Sequence, residues 1–299
     1  MNKTLLVLIF IVIYYIPLLA CNTCGCSGGA IYTGVLPQYN NHFIGVRWYN
    51  RSFNSKHELN DNNVSKEYFN TIELIGRFFP SKRVQILVFV PYNIFAQKEL
   101  NTSTKTIGIG DPSIIASYSL IRRGDNLNQK WKHLWFVGAG LKLPVGTYSF
   151  KNGLSEFNPN IQNGTGSTDF IFYTSYTIRK NKIGSSFDFT YKYNLSNNLG
   201  YQFGNRTNAQ FRLFYLYTKK KLSVLPQVGF LFEHAQKDNK FKGNISNTGG
   251  YGLYAHIGLD IYISRFAIGA NVQPATFQKI SNGYVTSLPR IQTHFLINF

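Results

Sequence analysis

The closing stretch Arg290-Ile-Gln-Thr-His-Phe-Leu-Ile-Asn-Phe299 alternates strictly and ends on an aromatic residue. Successive side chains of a strand point to opposite faces. Ile291, Thr293, Phe295, Ile297 and Phe299 therefore share one face, and Arg290, Gln292, His294 and Asn298 the other. In a soluble sandwich the apolar face would turn inward. Nearly every other strand candidate repeats the pattern and the chain begins with an export signal, so the apolar faces are expected to meet lipid and the polar faces to line an interior.

Composition agrees with that reading. Aromatics make up 16% of the chain, with 25 Phe and 20 Tyr. The mean hydropathy of −0.14 resembles that of a soluble chain. A barrel hides from such averages because half of every strand is polar, whereas an aromatic excess fits girdles at two membrane interfaces. The 31 Lys and Arg outnumber the 13 Asp and Glu, giving a net charge of +18. Nucleic acid is not an expected partner, because the positive charges show no basic cluster on a binding fold and are spread over turns, loops and one strand face. Outer-membrane lipid, anionic glycolipid and an anionic solute are the expected partners.

Residues 1–20 read as a signal peptide, with Lys3 as the positive start and an apolar run from Leu5 to Leu19. Leu18-Leu19-Ala20-Cys21 resembles a lipobox, which makes Cys21 a candidate lipidation site. Residues 21–40 form a small-residue, Cys- and Gly-rich periplasmic leader. Its Cys24 and Cys26 are suited to a disulfide, a tether or a soft metal ion such as Cu(I) or Zn(II), although full coordination needs further ligands. No other cofactor is expected. The leader also carries Ile31, Tyr32, Val35 and Leu36, which are the candidate residues of a lumen plug.

From residue 41 to 299 the chain reads as one all-β domain, a transmembrane antiparallel β-barrel of about twelve strands. Strand candidates cover residues 43–51, 68–79, 83–95, 111–122, 131–143, 169–179, 182–193, 207–218, 222–234, 251–262, 265–273 and 288–299. The connections alternate in length. Short ones fall near 80–82, 124–129, 180–181, 219–221 and 264, and long ones cover about 52–67, 97–110, 144–168, 194–206, 236–250 and 279–287. Short periplasmic turns and long external loops are the asymmetry of outer-membrane barrels.

A family resemblance attaches to Ile107-Gly-Ile-Gly-Asp111-Pro-Ser-Ile-Ile-Ala-Ser-Tyr118. This Gly-x-Gly-Asp ahead of a strand resembles the outer-membrane transporter barrels grouped with meta-pathway phenol degradation, themselves remotely similar to fatty-acid and hydrocarbon channels. Ala139-Gly-Leu-Lys-Leu-Pro144-Val-Gly before the longest loop carries the same likeness. The terminal strand ending in Phe299 resembles the signal that outer-membrane barrels present to the barrel-assembly machinery. The resemblance implies a channel in the bacterial outer membrane passing small, often aromatic or apolar compounds. The Cys-rich leader is not a feature the resemblance implies.

Alternation turns Arg47, Arg77, Arg83, Lys132, Lys142, Asp188, Arg212, His256, Asp260 and Arg290 inward, and these are the candidate residues of a solute path. Charges on a lumen face cost little when hydrated or paired. Two readings of them are open, a salt-bridge network that stiffens the barrel and a cation-biased wall that attracts anions. A barrel of about twelve strands lies between the filled and the open sizes, so a narrow or gated path is expected. An enzyme is not expected. No His is followed two residues later by Ser, and there is no Gly-x-Ser-x-Gly or His-Glu-x-x-His. The expected function is passive, selective passage of a small solute. The alternative is a metal-binding or structural barrel using Cys24 and Cys26 or the external loops, with 144–168 the candidate lid or contact surface. The oligomeric state is left open.

Overall fold

The computed structural model describes residues 41–57, 60–100, 102–123, 131–148, 159–241 and 243–299. The signal peptide, the 21–40 leader, Cys21, Cys24, Cys26 and the plug candidates Ile31, Tyr32, Val35 and Leu36 lie outside the described residues.

Twelve strands form one sheet. They are β1 (Phe43–His57), β2 (Asn60–Ser81), β3 (Val84–Lys98), β4 (Ser103–Ile109 and Ser113–Arg123), β5 (Trp131–Lys142) and β6 (Asp169–Lys180). The second half holds β7 (Ile183–Tyr193), β8 (Arg206–Tyr215 and Tyr217–Lys219), β9 (Leu222–Ala235), β10 (Gly250–Ile263), β11 (Phe266–Gln273 and Ala275–Ile280) and β12 (Val285–Ser287 and Arg290–Asn298). Each strand pairs antiparallel with its neighbours in the chain. The circle closes where β1 meets β12, from Phe43 opposite Asn298 to Asn50 opposite Ile291. Closure leaves no unpaired edge among these strands, which a hydrocarbon environment demands.

The pleat sorts the sequence into two faces. Along β1, Phe43 is fully buried while Ile44 and Val46 are more than 40% exposed. Around the barrel, Leu74, Val46, Phe295 and Ile268 stand opposite one another in consecutive strands and all face out. Exposed aliphatics continue on every side, a far larger apolar surface than a soluble monomer leaves in water, so this face meets lipid. Exposed aromatics flank it. Phe78, Tyr118, Trp131, Tyr215 and Phe266 lie toward the short turns, and Phe170, Tyr193, Phe232 and Phe277 toward the long connections. The tight turns themselves are encoded locally. Asn181, Lys220 and Ser264 open two-residue turns at φ 53°, 53° and 54°, the left-handed twist that a hairpin needs to match its strands.

Two loops expected from the sequence are strand instead. The ladder between β1 and β2 runs through Ser55 opposite Ser65, where 52–67 was expected to be irregular. Above the bilayer neither face needs to be apolar, so the ladder continues without alternation. Glu67 holds it together by accepting hydrogen bonds from Ser55, at 2.9 Å, and from Ser65. Likewise Ser103–Ile109 pairs with the upper part of β3 within the expected loop 97–110. The break in β4 falls at Gly110-Asp111-Pro112, where Pro112 has no N–H to donate.

Candidate functional site

The barrel interior has three layers. Toward the short turns it is filled by apolar side chains, among them Phe43, Leu87, Phe136, Tyr173, Phe214 and Leu296. Arg77 lies among them, stacked 4.8 Å from the Phe43 ring and 5.3 Å from Phe79, and donates to the Asn41 carbonyl at 3.1 Å. Toward the long connections a second apolar cluster closes the interior. There Phe53, Phe69 and Phe95 meet edge to face at 5.7 and 4.9 Å and pack with Ile161, Ile280 and Val285. Between the two lies a polar layer holding most of the inward charges.

Ile161 reaches the interior because residues 159–168, part of the longest connection, fold inward. Asp111 is the hub of that fold. Its Oδ1 accepts from the Gly146 amide at 2.9 Å, and its Oδ2 from the Thr165 amide and hydroxyl at 2.9 Å each and from Lys142 Nζ at 2.8 Å. Two glycines permit this approach. A Cβ on Gly146 would stand 2.7 Å from the Gly164 Cα, and one on Gly164 would meet Asp111 Oδ1 at 2.7 Å. Further anchors are Thr106 Oγ1 to the Ile161 carbonyl at 2.8 Å and Asn93 Nδ2 to the Asn163 carbonyl at 3.1 Å. The Gly-x-Gly-Asp signature thus acts as a latch that holds an external loop inside the barrel.

Most charges of the middle layer are paired. Lys142 bridges Asp111 and Asp169, at 2.8 Å each. Arg47 pairs with Glu73, and Arg212 with Asp188 at 2.6 Å. Arg290 reaches Glu233 at 2.7 Å and the Tyr254 hydroxyl at 2.6 Å while its guanidinium stacks 3.7 Å from the Tyr254 ring. Asp260 accepts from Gln227 at 3.1 Å and lies 3.6 Å from His294 Nε2. His256 Nδ1 is 3.3 Å from the side-chain amides of both Gln210 and Gln273. Such a layer fixes its side chains firmly, because removing either partner strands a buried charge.

A cavity of about 120 Å³ lies in this layer. Polar and charged residues make up most of its lining, and Phe89, Ile115, Ile171 and Leu231 supply the apolar part. Of the path residues expected from alternation, Arg47, Lys142 and Arg290 line the cavity, and Asp188, Arg212, His256 and Asp260 are buried close behind in the same network. Lys132 is only half-buried and sits at the short-turn end of β5, away from the cavity. Arg83 is a correction. It occupies the turn between β2 and β3, is exposed, and donates to the hydroxyl of outward-facing Tyr118 at 3.0 Å. Alternation assigned it inward by extending the strand one residue into a turn that breaks the parity. Arg51 was overlooked although it shares the parity of Arg47 and Tyr49, and it lines the cavity at 6% exposure. Among the described residues no cluster of three or more His, Cys, Asp and Glu is placed to hold a metal ion.

Comparison with known proteins adds the following. The profile of the family described as the MetA-pathway of phenol degradation matches residues 75–275. Among solved structures, an outer-membrane channel from Pseudomonas putida F1 superposes with a TM-score of 0.63 at 12% identity, covering 89% of this chain and 97% of the other. The β domain of the Bordetella autotransporter BrkA gives a TM-score of 0.50 at 8% identity, covering 87% and 100%. These two likenesses establish the barrel fold. No curated protein matches the sequence.

Proposed function

The chain belongs to the family described as the MetA-pathway of phenol degradation, and from this premise we propose that it is a gated channel for passive passage of a small solute across the bacterial outer membrane. The observation that carries the reading is the middle layer, a cavity lined by charged side chains between two apolar clusters, with residues 159–168 held inward beside it by hydrogen bonds, not covalent links. A barrel serving only as scaffold has no need of a cavity surrounded by charges whose burial is costly unless every one is paired. The channel solved from Pseudomonas putida F1 has the same fold and lends its description as support. No catalytic residue is part of this reading. The Cys24 and Cys26 leader and the Phe299 strand are assigned to tethering and to recognition by the assembly machinery.

The test is single-channel recording in a planar bilayer. Wild type is expected to give brief, infrequent openings from a mostly closed state. Asp111→Asn removes the carboxylate that binds Lys142 and both loop amides, and should raise the open probability at least several-fold. A correctly folded barrel silent in both forms would overturn the proposal.

A further inference from the structure

Among the residues lining the central cavity, five cations stand against three carboxylates, and Lys142 is held from behind by a fourth, Asp169. Lys192, one of the five, is buried and engaged with neighbouring groups. Arg47 is committed to Glu73, Lys142 to its two aspartates and Arg290 to Glu233. Arg51 has no such partner among the described residues. Its Nε and Nη2 are buried and make no hydrogen bond among the described residues, its guanidinium lies 5.1 Å from the Tyr49 ring centroid, and Glu233 is close enough to act on its charge without forming an ion pair. Arg51 is 6% exposed and lines both the central cavity and a smaller one of about 40 Å³.

A buried guanidinium that lacks an acceptor is a costly arrangement. Nε and Nη2 are moreover one edge of the planar fork, the pair of parallel donors that a carboxylate takes side-on with both oxygens. With Asp169 included, five cations stand against four carboxylates, and the excess of one positive charge matches one anionic group. The same lining includes four buried apolar side chains, Phe89, Ile115, Ile171 and Leu231. An engineered apolar cavity of about 150 Å³ admits benzene, so a cavity of about 120 Å³ suits a body on the scale of one small ring or a short chain.

We propose that the chamber contains a solute-binding subsite for a small organic carboxylate, whose two oxygens engage the Nε–Nη2 edge of Arg51 while its apolar body lies against Phe89, Ile115, Ile171 and Leu231. The inference rests on the channel reading and names the class of solute that pauses in that channel. It also explains why the cavity is both charged and apolar.

Calorimetric titration of the purified full chain in detergent tests binding independently of conduction, so a failed subsite and a failed channel give different results. The probes are benzoate, neutral phenol and inorganic phosphate, applied to wild type, Arg51→Gln and Arg51→Lys, each first shown to be folded by heat-modifiable gel mobility. Benzoate should bind wild type, weaken at least tenfold in Arg51→Gln and recover only partly in Arg51→Lys, which restores charge without the fork. Phenol should be insensitive to both substitutions, and phosphate should bind more weakly than benzoate. Equal benzoate affinity in wild type and Arg51→Gln, absence of benzoate binding to the folded wild type, or phosphate binding as tight as benzoate would each overturn the proposal. Arg51→Gln removes an unpaired buried charge, so the variant is expected to fold at least as well as wild type.

Discussion

Arg212 and Asp188 illustrate what a buried pair does in this barrel. They stand on adjacent strands, β8 and β7, and meet at 2.6 Å with both side chains almost wholly buried. Asp188→Asn leaves the guanidinium without its countercharge, and is expected to destabilise the folded barrel by on the order of 3 kcal/mol. Replacing both partners with apolar residues of similar volume should cost much less. Urea unfolding in lipid vesicles, comparing the single and double variants, checks the contrast. At this scale the sequence was legible wherever a residue lay well inside a strand. Parity placed Arg47, Arg77, Lys142, Arg212 and Arg290 correctly, because the pleat leaves no other option once one face is in lipid. It misplaced Arg83 at a turn and gave no warning that Arg51 would lack a partner. Pairing depends on which residue stands opposite, and register is a long-range property.

Among the elements, the barrel strands could be read from sequence and the loops could not. Strand periodicity is imposed by the bilayer, whereas above the bilayer polar residues pair freely, and β1, β2 and β4 extend where irregular loops were expected. The latch built on Asp111 was visible as a motif but not as a mechanism, since its partners Gly146 and Thr165 lie far along the chain. A second loop assembly shows similar economy. Tyr201–Gln202, Asn239–Lys240 and Gly243–Asn244 form a small external sheet, beside a cluster in which Tyr201 and Phe203 meet at 4.9 Å. Asp238 is buried there, accepting from the Tyr201 hydroxyl at 2.6 Å and the Gly204 amide at 2.7 Å. Burial raises the Asp238 carboxyl above the ordinary aspartate range, although these two hydrogen bonds and nearby Arg206 oppose the shift.

The sign follows directly. The folded sheet favours the protonated carboxyl, so this contribution is complete below the unfolded pKa and fades as pH rises through the raised folded value. Amide-exchange protection of Tyr201 and Phe241, corrected for intrinsic exchange, should therefore be greater in mild acid than at neutral pH. Asp238→Asn removes the titrating group while keeping one of the two acceptor oxygens, and should flatten that dependence. An unchanged slope in the variant would assign the effect to another group.

For the whole molecule, the decisive quantity is the environment of the outward face. Val46 stands in the row of Leu74, Phe295 and Ile268, at mid-height of the belt. Val46→Arg should destabilise the barrel in vesicles by about 2–4 kcal/mol, the range for a cation near the bilayer midplane. The same substitution at Tyr49, whose side chain faces the interior, should act through packing and be insensitive to bilayer thickness. Unfolding titrations in vesicles of two acyl-chain lengths separate these cases.

The ladder between β1 and β12 joins Phe43 to Asn298, residues that are neighbours in space and nearly a whole chain apart in sequence. The chain-entropy cost of that closure is met only at the end, when the other eleven ladders already hold the two strands near each other. A polypeptide cut short before Arg290 would retain two open edges, with unpaired amides and carbonyls that hydrocarbon does not tolerate. The seam therefore makes pairing of the terminal strand a condition for a barrel that the membrane can keep.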